Sequence, residues 1–80
     1  MKSFVLNKRR QIDKVDRKIV SLLEKRFKIV FGLREYKRKH NMPIEDLDRE
    51  SEIKEKFKYS KLPKGVLVKF FKLLFMEAKK

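Results

Sequence analysis

Asn7–Tyr36 reads NKRRQIDKVDRKIVSLLEKRFKIVFGLREY, with apolar residues at alternating spacings of three and four. Ile12, Val15, Ile19, Leu22, Ile29, Leu33 and Tyr36 fall on this repeat, and Arg26 breaks it. Such spacing marks an amphipathic helix with a narrow apolar seam. A seam position excludes water, so a guanidinium there needs an anion or it destabilises the helix. Lys37 follows Arg26 by eleven residues, roughly 20° around a helix that turns about 100° per residue, and so shares its face. The two cations together read as an anion site built inside a helical bundle.

Working outward, this first helix is expected from about Ser3 to Asn41, because Gly32 is its only glycine and no proline precedes Pro43. Asn41-Met42-Pro43 stops it, since the residue before a proline is biased out of the α region. At about 1.5 Å per residue the helix exceeds roughly 50 Å. A compact globule of 80 residues has a radius of gyration of about 12 Å. Much of the seam therefore needs a second copy of the chain, and an obligate homodimer is expected.

A second helix is expected after Asp46, which can N-cap it, with Asp48 and Glu50 in the first turn where the helix dipole favours acid. Leu47, Ile53 and Phe57 give it a thin apolar stripe. Tyr59-Ser60-Lys61 is a polar joint, Ser60 a cap for a third helix and Pro63 a residue tolerated in its first turn. The third helix is expected from about Leu62 to the C-terminus, with Leu67, Phe70, Phe71, Leu74 and Phe75 as its apolar face. No strand pattern or repeat is present, so the class is all-α: one domain over residues 1–80, with one long helix and two shorter ones.

Composition sets the outer limits. There are 24 Lys and Arg against 11 Asp and Glu, a formal net charge of +13, which favours anionic partners and their fast capture. The absence of cysteine excludes disulfides and thiolate metal sites. No apolar run approaches the roughly 18 residues of a membrane span, and the N-terminal apolar stretch is too short for a signal peptide. A soluble cytoplasmic protein without metal or cofactor is expected.

No nucleophile is paired with a base and no Gly-rich phosphate loop is present. What remains is a set of cations on or near the seam (Arg9, Arg26, Lys37), followed by Asp46-x-x-Arg49-Glu50. Alone, Arg26 equally suits a snorkelling side chain or a pair with Glu24 or Asp16. Alone, Lys37 suits a solvated lysine, and Arg49 and Glu50 an exposed helix start. Their order and spacing together are more specific.

The pattern Arg9-x-x-Ile12-Asp13-x-x-Asp16-x-x-Ile19-x-x-Leu22-Leu23-x-x-Arg26, then Lys37, then Pro43-Ile44-x-Asp46-x-x-Arg49-Glu50 resembles the all-helical AroQ-type chorismate mutases. The likeness runs without a gap from about Lys8 to Phe57. It implies an intertwined dimer of three-helix chains that rearranges chorismate to prephenate, on the route to phenylalanine and tyrosine. It also implies roles. Arg26 binds a substrate carboxylate from its own chain, and Arg9 binds one in the partner chain's site. Lys37 donates to the ether oxygen and a carboxylate, and Arg49 supports the carboxylate region. Glu50 accepts from the substrate hydroxyl, helped by the Asp46 backbone amide. Asp13 and Asp16 stay structural.

Helix 3 departs from the family pattern. Many members carry a hydroxyl residue there, followed one turn later by a Gln or Glu that hydrogen-bonds near the ether oxygen. In the best register the hydroxyl position is Ala78, and the next is position 82, past Lys80. Glu77 lies about 100° around the helix from Ala78, and a fraying C-terminal lysine is too loosely held to substitute. The resemblance then implies slow turnover, a substitute group, or an activating partner enzyme that completes the site, as in mutases that pair with the first enzyme of the shikimate route.

Two alternatives compete. One is an isochorismate-pyruvate lyase on the same scaffold, which the Asp46-x-x-Arg49-Glu50 segment disfavours. The other is a basic nucleic-acid-binding module, suggested by the charge. Against it, the basic residues are spread over all three helices and the aromatics stand at core spacing.

Overall fold

The computed structural model describes residues 2–63 and 65–79. These residues form three α-helices: α1 (Lys2–Lys39), α2 (Leu47–Lys56) and α3 (Val66–Ala78). The chain divides into two units, Met1–Val30 and Phe31–Lys80.

The first unit is helix throughout its described residues. None of its side chains is fully buried. The expected seam is exposed, with Ile12 at 56%, Leu22 at 62% and Ile29 at 71%. The half-buried residues are Leu23, Arg26, Phe27 and Val30. Leu23, Phe27 and Val30 form a second stripe, one residue round from the seam, which the three-four reading of the sequence passed over. Arg26 belongs with this stripe, so it does not interrupt a buried seam.

The second unit opens with the last turns of α1, which ends two residues before Asn41. Asn41 has φ 54°. The Asn41 N–H donates to the Arg38 carbonyl at 3.3 Å, and the Met42 N–H to the Lys37 carbonyl at 2.8 Å. This is a Schellman closure, in which a left-handed residue satisfies carbonyls the helix leaves open. The stop therefore lies in Asn41 itself, with Pro43 beyond it.

α2 packs against α3. Ile53, Leu74 and Phe75 are the buried side chains among the described residues. Phe71 stacks on Phe57 with ring centroids 5.6 Å apart and on Phe75 at 5.9 Å, and meets Phe70 edge-on at 5.4 Å. Offset and edge-on aromatic pairs of this kind add to simple area burial. The expected face of α3 is thus the one that packs. The stripe of α2 is narrower than expected, because Leu47 and Phe57 are exposed and Ile53 alone is buried.

α3 starts at Val66, four residues after the expected Leu62. Gly65 precedes it at φ 89°, a left-handed conformation that a side chain would oppose. Ser60 does not cap this helix. Its Oγ accepts the Leu62 N–H at 3.2 Å, closing a local turn. Pro63 likewise precedes α3 rather than standing in its first turn, and Lys64 lies outside the described residues.

Candidate active site

Arg9 and Arg26 both lie on α1 in the first unit. Arg9 is exposed and Arg26 half-buried. Seventeen residues separate them, roughly 25 Å of helix, so the unit does not bring them together.

The other expected site residues belong to the second unit. Lys37 is half-buried in the last turn of α1, with its backbone fixed by the Schellman closure. Asp46 is extended at φ −135°, and its Oδ1 accepts the Arg49 N–H at 3.0 Å. Its carbonyl accepts the Glu50 N–H at 3.1 Å. One residue therefore sets the start of α2 and the direction in which Arg49 and Glu50 leave it. The two then diverge. The Arg49 guanidinium is exposed and pairs with Glu52 at 3.0 Å. Glu50 is 17% exposed, and its Oε2 lies 3.2 Å from Lys79 Nζ. Ala78, beside Lys79, is half-buried.

Lys79 was not expected here. Its Nζ also lies 3.1 Å from Glu45 Oε1, so one ammonium bridges two carboxylates from the segment leading into and opening α2. The sequence reading expected a loosely held C-terminal lysine, whereas Lys79 has two carboxylate partners. The hydrogen bond to Glu45, and then that to Glu50, raise the Lys79 ammonium above its ordinary pKa, with desolvation opposing. A cation at the C-cap of a helix is favoured by the dipole, and that was its sequence signal. Its partners lie 34 and 29 residues earlier, where no local pattern finds them.

Arg34 was also missed. It is half-buried, with its guanidinium 4.6 Å over the Phe31 ring. Its Nε is buried without a hydrogen-bond partner among the described residues. A cleft of about 440 Å³ lined by Lys54, Phe57, Leu62, Leu67 and Phe71 lies elsewhere in this unit, and none of the expected site residues lines it. Among the described residues, no group of His, Cys, Asp or Glu is arranged to hold a metal.

The second unit thus carries a half-buried lysine at the close of α1 and, on α2, a capped helix start with an ordered carboxylate. Such a set can orient a small polar anion and stabilise charge on it. The family model for chorismate mutase type II matches residues 8–80. The chain belongs to the chorismate mutase type II family. It is also 36% identical over 81 residues to the bifunctional chorismate mutase/prephenate dehydratase of Buchnera aphidicola subsp. Schizaphis graminum (strain Sg). That alignment takes in 96% of this chain and 21% of the relative, so the chain spans about a fifth of the curated protein. No solved structure matches it. The family match takes in helix 3, where the sequence likeness was least distinct. The all-α class read from the sequence is borne out: the described residues are all-helical, with one long helix and two shorter ones. No helix among them is long and apolar enough to cross a membrane.

Proposed function

We propose that this chain rearranges chorismate to prephenate. The match to the chorismate mutase type II family over residues 8–80 carries the reading, since it includes every residue expected in the site. Chorismate is a small dianion, and its rearrangement is unimolecular: the ether C–O bond breaks as a new C–C bond forms. The step needs no base, nucleophile or cofactor. It requires that the folded conformer be held and that charge building on the ether oxygen be met by a donor.

In this reading Arg26 and Arg9 hold the two carboxylates, Arg9 from the partner subunit. Lys37 donates to the ether oxygen. Arg49 leaves Glu52 to support the carboxylate region, and Glu50 accepts from the substrate hydroxyl. Ala78 borders the same pocket. The exposed seam of α1 supports the homodimer, because seven apolar side chains at helical spacing are each 46–71% exposed among the described residues. The dimer makes melting temperature rise with protein concentration. A cytoplasmic location accords with a soluble substrate.

The test is loss of chorismate by the purified chain, with the product identified. Prephenate supports the proposal. Release of pyruvate from isochorismate instead, with no prephenate from chorismate, overturns it in favour of the lyase.

A further inference from the structure

Lys79 lies at the close of α3, next to the residue that the family resemblance sets against the substrate. We propose that Lys79 is a positioning residue for Glu50: its ammonium, shared with Glu45, holds the Glu50 carboxylate in one orientation and ties the last turn of α3 to the start of α2. The proposal rests on the chorismate mutase reading above and names what orders that site's carboxylate.

Three observations carry it. First, this bridge differs in kind from the other ion pairs. Arg38–Glu35, Arg49–Glu52 and Lys58–Glu55 are local i,i+3 pairs with side chains 46–70% exposed, and such pairs contribute little. Lys79 and Glu50 are 35% and 17% exposed and far apart in sequence. Second, Lys79 has two acceptors, Glu45 at 3.1 Å and Glu50 at 3.2 Å. A lysine stem with one acceptor can swing about it, whereas two acceptors fix Nζ in space. Third, the contact uses Glu50 Oε2. A carboxylate has about four lone-pair sites, so Glu50 keeps capacity to accept from a substrate hydroxyl while Lys79 holds it. Lys79 also offsets one of two neighbouring negative charges that would otherwise oppose a dianion.

The experiment is steady-state chorismate turnover by the whole chain, with a double-mutant cycle between Lys79→Gln and Glu50→Gln. Lys79→Gln is expected to lower kcat/KM about tenfold with far-UV helicity unchanged, the scale of a misplaced catalytic group. Lys79→Arg, which keeps the charge, is expected to stay within about threefold of the wild type. In the Glu50→Gln background, Lys79→Gln is expected to add less than about twofold, because the group it positions is already lost. Full activity of Lys79→Gln overturns the proposal, as does an equal loss with and without Glu50. Should Lys79→Gln lose helicity, Glu45→Gln replaces it in the cycle. A loss that vanishes in Glu50→Gln then supports the proposal, and no loss overturns it. A wild-type chain that turns over no chorismate overturns the functional reading and this proposal together. Wild-type turnover with an indifferent Lys79 overturns this proposal alone.

Discussion

Asp46 Oδ1 accepts the backbone N–H of Arg49 at 3.0 Å, and this single cap fixes where α2 begins and where Glu50 stands. Asp46→Ala is expected to cost about 1 kcal/mol of stability through the lost cap. It is also expected to lower kcat/KM by more than the stability loss alone explains, because Glu50 leaves the helix one residue after the capped amide. Asp46→Asn keeps an oxygen acceptor and should retain most of both. Urea unfolding and chorismate turnover on the three proteins decide it, and equal behaviour of the Ala and Asn variants would sink the cap argument.

The close of α1 invites a second test. Asn41 at φ 54° occupies the region where a β-carbon costs roughly 1–2 kcal/mol and where Asn and Gly are tolerated. Asn41→Gly should therefore leave stability within about 0.5 kcal/mol, while Asn41→Ala should lose about 1 kcal/mol. Denaturant midpoints give the comparison. An Ala variant as stable as the Gly variant would show that this turn is not held left-handed.

Local rules made the helices legible, and the limits of those rules mark what was missed. Asp46 as the cap of α2 and the Leu67-to-Phe75 face of α3 follow from residue type and spacing, which act over one or two turns. The start of α3 was misread because Ser60 and Pro63 both carry helix-start chemistry, yet Ser60 closes a turn on Leu62 and Gly65 makes the entry. The second stripe of α1, Leu23, Phe27 and Val30, was hidden by the stronger seam beside it. Lys79 was out of reach because its two partners are set by packing and not by spacing. The family motif pointed to Glu50, but nothing in the motif showed what holds that carboxylate.

The Lys79 bridge has a defined pH window. Its ammonium is raised above the ordinary lysine value of 10.5 by Glu45 and Glu50. A raised cation contributes stability that is fully present below the unfolded-state pKa and is lost as pH climbs through the folded-state value. The difference in melting temperature between the wild type and Lys79→Gln should therefore be flat from neutrality to about pH 9, then shrink above about pH 10.5. A difference that already vanishes near pH 8 would contradict this sign.

Arg9 and Arg26 supply the sharpest test of assembly. Roughly 25 Å of helix separates them, more than one small dianion can bridge, so a site that uses both must take them from different chains. Arg9→Ala and Arg26→Ala should each abolish most turnover as pure homodimers. In a mixed dimer, one pocket collects both substitutions and the other collects neither, which restores one intact site. With equal amounts and free subunit exchange, half of the dimers are mixed, and about a quarter of wild-type activity should return. Native mass spectrometry confirms the exchange and the dimer itself. A mixture that has exchanged subunits yet stays as inactive as either parent would rule out the shared site, and a helical monomer at high dilution would remove the reason for it.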